Sequence, residues 1–359
     1  MDQLTELRSY KNLFRNTNFS RYFIPPYNFS GAEGIFQEFT SNLYTVHQYS
    51  TVILLTLYVP IFMVGLCGNI LIIISSVRET KLKKTKNFFL ANLALADLAV
   101  TLFCMPTTVG TIVYRLWIYG RFLCKFTAFL QGVSVAVSIF SLTAMSVDRY
   151  VSIQHPVAAR RIMSSSQALL IIGCMWVISA IFMGPLLYIR DVSVVEMPTL
   201  PPLTFCIEDW PQDRDREAYG LFLLFVVFLI PAGTLAICYV NVGRTLCTNE
   251  IPREGSDSST RGLFSRKRAA RMLIILVIVF MVCWLPYNIA SLFSDMTDGS
   301  QLLYILFFSL WLGHAHSAIN PVMFWLLNRR FRERVRGMMR YVQKSSCGSA
   351  TAHSLPEYV

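Results

Sequence analysis

Seven long apolar stretches divide the chain, at about 51–77, 87–113, 123–147, 167–189, 217–243, 269–293 and 302–327. As a helix, each is long enough to cross a hydrocarbon core of about 30 Å with some tilt. The pattern predicts an all-α membrane protein, a seven-transmembrane helix bundle. A polar tail over 1–50 precedes the bundle, which occupies 51–328. The last segment, 329–359, opens with alternating arginines and apolar residues (RRFRERVRGMMRYVQ) that predict a short amphipathic eighth helix lying on the membrane.

The third span organises the rest. It runs CKFTAFLQGVSVAVSIFSLTAMSVDR from Cys124 to Arg149 and ends in Asp148, Arg149 and Tyr150. As a helix the stretch is roughly 37 Å long, so the cysteine emerges on one side and the acid–arginine pair on the other. Its small residues permit close approach on several sides, which suits a central position.

Charge sets the orientation. Only 15% of residues are charged and mean hydropathy is +0.48, well below the roughly 25% charged residues of soluble domains. With the N-terminus outside, the inner segments hold 22 of the 32 Lys and Arg; the inner net charge is +15 and the outer −3. Lys and Arg mark the cytoplasmic side. The overall +11 therefore reflects topology and anionic membrane lipid, not nucleic acid. Two glycosylation sequons, at Asn18 and Asn28, fall in the outer tail. Residues 1–30 lack a continuous apolar core, so the first span is expected to serve as an uncleaved targeting signal. Of nine cysteines, Cys124 and Cys206 lie on the oxidising side and form the expected disulfide. Cys347, after the basic amphipathic stretch, is a candidate for palmitoylation.

Polar residues inside apolar spans carry the chemistry. Asn69 is expected to be interhelical hydrogen-bond glue. Asp97 is a carboxylate at membrane depth, where an uncompensated charge costs at least about 2.5–3.5 kcal/mol; it needs a proton or a cation. Pro286 interrupts the sixth span and Pro321 the seventh, and each removes a helical hydrogen bond. A Ser- and Gly-rich loop over 244–265 precedes the sixth span, so its inner end is expected to swing.

The landmarks Gly68-Asn69, LALAD ending at Asp97, Cys124, Asp148-Arg149-Tyr150, Trp176, Pro231 with Tyr239, FxxCWxP from Phe280 to Pro286, and NPxxF from Asn320 to Phe324 occur in order over about residues 50–345. Together they resemble the rhodopsin-like family of G-protein-coupled receptors. The resemblance implies a plasma-membrane receptor with heterotrimeric G proteins and arrestin as inner partners. It implies that the Cys124–Cys206 bond ties the outer loop to the third helix, and that Arg149 meets the G protein once the sixth helix moves outward. Pro231, Ile139 and Phe280 match the family's relay, with Trp284 above them. Asp97, Ser138 and Asn320 match its allosteric Na⁺ site; no other cofactor is implied.

Three departures stand out. Phe324 replaces the family's usual tyrosine and lacks its hydroxyl. Arg266, Lys267 and Arg268 open the sixth helix where a carboxylate often holds the arginine, so basal activity is expected. His316 stands beside the matched Na⁺ residues.

The seventh span has no lysine, which excludes a retinal Schiff base, and Gln131 stands where amine receptors carry an aspartate. Gln131 and the acidic outer loop resemble the neuropeptide branch, including neuropeptide Y- and RFamide-type receptors. The expected ligand is a basic, C-terminally amidated peptide. Gln131 would meet its carboxamide, and Asp295, about 13 Å beyond Pro286, its basic residue; Tyr287, Glu208 and Asp209 complete the candidate set. The alternatives are a non-peptide ligand, or a constitutively active receptor without one. A transporter would show internal repeats, and none is seen. A metalloenzyme would need clustered ligands, whereas His314 and His316, two apart, point to different helix faces.

Overall fold

The structure is a computed structural model that describes residues 45–77, 84–154, 164–197, 200–248, 257–294, 300–329, 331–338 and 340. Asn18, Asn28, Asp295 and Cys347 lie outside the described residues, as do the side chains of Arg266, Lys267 and Arg268.

In lipid, a chain segment must satisfy its backbone hydrogen bonds internally, so apolar stretches become helices. The seven are α1 (Tyr49–Val77), α2 (Asn87–Tyr114), α3 (Gly120–Gln154), α4 (Ser165–Met183), α5 (Arg214–Asn241), α6 (Asp257–Ser294) and α7 (Ser300–Leu327). Within the described residues α1 to α6 each contain an 18-residue stretch of mean hydropathy between 1.7 and 2.7. A further turn, Pro185–Ile189, follows α4. Ser164 starts α4 with a capping box, exchanging hydrogen bonds with Gln167.

Two helices widen just before a proline, which sequence periodicity had not revealed. α2 makes a π turn over Val100–Cys104 ahead of Pro106, and α5 over Leu224–Leu229 ahead of Pro231. A proline ring collides with the carbonyl four residues back and offers no N–H; a wider turn relieves both conflicts. α6 runs continuously through Pro286, and α7 through Pro321.

α3 packs against α2, α4, α5 and α6, while α7 closes the ring between α6 and α1. Val133, Ala136, Val137, Ile139 and Leu142 of α3 are buried in the main core. Small residues permit the tightest contacts. A Cβ on Gly68 would lie 2.6 Å from the Pro321 ring, so α1 and α7 meet without room for a side chain. Asn69 fastens the same junction, donating to the Ser317 carbonyl at 2.8 Å. Asn92 donates to Ser141 and accepts from the Trp176 indole, both at 2.8 Å, joining α2, α3 and α4.

After α4 the chain forms an antiparallel hairpin, β1 (Arg190–Met197) and β2 (Leu200–Glu208), an addition to the helical pattern. Cys206 is bonded to Cys124 at the head of α3. Arg121 forks onto Asp191 through Nε and Nη2, and the Trp117 N–H donates to the Thr204 carbonyl at 2.7 Å. At the other end of the bundle Phe331 and Val335, four residues apart, are buried on one face of α8 (331–338). Arg332 donates to the Trp325 and Leu326 carbonyls at the end of α7.

Candidate functional site

At the hairpin end, α3, α4, α5, α6 and the hairpin surround an open-mouthed cavity of about 180 Å³. Gln131 of α3 and Trp284 of α6 line it, with Tyr287, Asn288, Tyr219 and Phe228. Trp284 is buried, and a Cβ on Gly313 would lie 2.8 Å from its ring, so α7 backs directly onto the indole.

Gln131 is part of a chain of bonds across three helices. Its Oε1 lies 3.2 Å from Nε2 of His314 on α7, and His314 Nδ1 lies 3.1 Å from the Tyr58 hydroxyl on α1. One tautomer satisfies both contacts: Nε2–H donates to Gln131, and Nδ1 accepts from Tyr58. That assignment leaves the Gln131 NH₂ for the cavity. His314 also meets Trp284 edge-on, with ring centroids 6.3 Å apart.

The hairpin contributes the charged wall. Glu208 Oε1 accepts from Arg190 Nη2 at 2.5 Å; its Oε2 accepts from the Trp210 indole at 3.0 Å and lies 3.4 Å from Arg216 Nε. Burial pushes the Glu208 carboxyl up, but Arg190, Arg216 and the Trp210 bond outweigh it and hold it below the usual carboxylate range. Glu208 therefore lines the cavity with its charge already compensated and is not a free acid. Asp209 is exposed and off the cavity lining; its backbone N–H donates to the Ile189 carbonyl. Of the two candidate acids, Glu208 is thus ion-paired within the loop.

Below Trp284 the matched relay residues are core. Phe280 and Ile139 are fully buried, and Pro231 is buried. Phe280 packs against Phe228 and, edge-on, against His316. Deeper, Asp97 accepts from Asn320 Nδ2 at 2.7 Å and Ser317 Oγ at 3.1 Å, with His316 Nδ1 3.7 Å away. Asn320 Oδ1, His316 Nε2 and Ser134 Oγ are buried without a hydrogen-bond partner among the described residues. Ser138 is buried, but it is not one of the described hydrogen-bond partners of Asp97. His314 and His316 serve different neighbourhoods, one the cavity floor and the other this polar core.

At the end opposite the hairpin, Arg149 Nε lies 4.0 Å from the Asp148 carboxylate, and Tyr150 continues α3. The Tyr239 hydroxyl of α5 shares a hydrogen bond with Ser146 of α3 at 2.9 Å. Phe324 is buried.

The structure brings Gln131, Tyr287, Glu208 and Trp284 to one cavity. It adds Arg190, Trp210, Arg216, Tyr219 and Asn288, which sequence reasoning passed over. For the arginines a signal existed: Arg190 and Arg216 are among only ten Lys and Arg on the expected outer side.

A seven-helix bundle with a hairpin bonded to α3, an acid–arginine pair at the far end of that helix and an NPxxF motif within α7 defines a class of membrane receptor. Residues 68–324 match the family described as 7 transmembrane receptor (rhodopsin family); the chain belongs to it, and its members are receptors, not enzymes. Galanin receptor type 1 of Homo sapiens is 33% identical over 302 residues, covering 82% of this chain and 84% of that one. The QRFP-like peptide receptor of Branchiostoma floridae is 29% identical over 293 residues, 80% of this chain and 77% of its own. The RYamide receptor of Drosophila melanogaster is 30% identical over 331 residues, 86% and 70% respectively. The chain thus falls among the neuropeptide receptors of the family.

Proposed function

We propose that this membrane receptor binds an extracellular peptide in the cavity between α3, α5, α6 and the hairpin and passes the signal to a heterotrimeric G protein. The observation that carries the reading is the junction of Gln131, His314 and Trp284. A ligand atom bonded to Gln131 acts, through one histidine, on the tryptophan seated above the Phe280 core. Support for a peptide comes from the relatives, whose names are those of peptide receptors. The charge asymmetry of the loops supports placing the N-terminal tail and hairpin outside. Repacking around Phe280 then releases the inner end of α6 and exposes Arg149 to the G protein, with arrestin as a second partner of the same face.

The Gln131 NH₂ suits a carbonyl acceptor such as a C-terminal carboxamide. The basic residue expected of the ligand rests on Asp295. Na⁺ is the proposed allosteric ligand of the polar core. Asp97, Ser138 and Asn320 would hold it with oxygen atoms, and the buried, unpartnered Oδ1 of Asn320 fits a hard cation. Bound there, it neutralises Asp97 and favours the resting arrangement.

The test is a screen of amidated neuropeptides, galanin and RYamide among them, on cells expressing the receptor with a second-messenger readout. A dose-dependent response that disappears in Arg149→Ala at matched surface expression is the expected result. Silence across the panel, from receptor verified at the surface, would remove the peptide reading.

A further inference from the structure

Arg190 is the cavity group with the least settled surroundings. It begins β1, directly after the helical turn Pro185–Ile189, and its strand partner is Glu208. Backbone pairing and the bond from Nη2 to Glu208 fix where the guanidinium stands, and the side chain, about a quarter exposed, lines the cavity. A guanidinium has five N–H donors. Among the described residues, Glu208 is its only hydrogen-bond partner, and its Nε is buried with none. A buried donor left unpaired in a pocket wall is costly, and a ligand oxygen would satisfy it.

Glu208 meanwhile has its negative charge compensated by guanidinium groups. One of its oxygens is taken by Arg190, the other by Trp210 and Arg216. The unmet demand at Arg190 is for an anion with acceptor oxygens, and a planar carboxylate matches the guanidinium fork.

We propose that the cavity reads an acidic residue of its ligand, with Arg190 as the specificity-determining contact. The inference rests on the peptide reading and deepens it. The deep contact at Gln131 and an amidated end are compatible with it, since Arg190 sits on the hairpin wall and Gln131 on α3.

The experiment uses full-length receptor in cells and a positional-scanning library of amidated decapeptides, read by second messenger. At one or more positions, pools with Asp or Glu fixed should be roughly 10- to 100-fold more potent than the matched Asn or Gln pools, the range for one charge-assisted bond. Arg190→Gln should erase that ratio. Glu208→Gln, which releases Arg190 from its partner, should widen it; opposite shifts from two neighbouring substitutions do not arise from misfolding. Equal potency of acidic and amide pools at every position, or a ratio that survives Arg190→Gln, would overturn the acidic contact while the peptide reading stands. Silence of every pool, from receptor present at the surface, would overturn the peptide reading and this inference with it.

Discussion

His314 Nε2 and Gln131 Oε1 lie 3.2 Å apart at the floor of the cavity, joining α7 to the helix at the centre of the bundle. The contact makes Gln131 a positioned side chain: its oxygen is held by the histidine, and its amide nitrogen is left to the ligand. Replacing His314 with Ala frees Gln131 and leaves the buried Tyr58 hydroxyl without its acceptor, at a cost of about 1–3 kcal/mol. Agonist potency should fall accordingly. Gln131→Ala should add little in the His314→Ala background, and full additivity in that double-mutant cycle would show the two residues act apart.

Gly313 leaves no room for a side chain against Trp284. Gly313→Ala should therefore displace the indole and lower thermal stability by about 1–3 kcal/mol, the usual penalty of overpacking. Basal signalling should change with it. Trp284→Phe, a smaller ring, should recover part of the lost stability in the double variant; melting of detergent-solubilised receptor is the measurement.

Ser146 and Tyr239 form a pair between α3 and α5. Either Ser146→Ala or Tyr239→Phe should cost about 0.5–1.5 kcal/mol, and the double variant hardly more than one alone. Phe324→Tyr gives α7 a hydroxyl at a buried position. If it competes for Tyr239, agonist-evoked signalling should rise in Phe324→Tyr and stay flat in Phe324→Tyr/Tyr239→Phe.

The hairpin's ion pairs predict resistance to mild acid. Arg121, with help from Lys125, holds the Asp191 carboxyl below the usual range, and Glu208 is also depressed. A depressed folded-state pKa contributes stability that is complete above the unfolded value, about 4 for a carboxylate, and is lost as pH falls through the folded value. Hydrogen exchange of the β1–β2 amides, corrected for intrinsic rates, should therefore be unchanged between pH 7.4 and 5.5. Loosening within that window would mean that other groups govern the hairpin.

Removal of Na⁺ tests the polar core. Agonist affinity should rise as Na⁺ is replaced by a large organic cation, and the dependence should vanish in Asp97→Ala. The same salt curve in both receptors would count against a cation at Asp97.

The helices, the disulfide and the interhelical role of Asn69 were legible because each follows from local pattern or a strongly constrained residue type. The fate of Glu208 was not. Read as a linear string, the loop offers Glu208 as a free acid, but folding it into a hairpin sets Arg190 opposite Glu208 and compensates that charge. The bond between Tyr58 and His314 joins positions 256 apart and had no local signal. The π turns were hidden for a different reason: the prolines at 106 and 231 were visible, but a proline can equally kink a helix or widen the turn before it.

The hairpin is held to the head of α3 by a disulfide, a forked ion pair from Arg121 and a backbone bond from Trp117. Three attachments within a few residues make the strands a rigid pointer fixed to the central helix. Val194, exposed on β1, is a place to mount a fluorophore on that pointer. A rotation or piston movement of α3 would then be amplified at the tip and recorded in real time, with no label inside the membrane and no alteration of the face that meets the G protein.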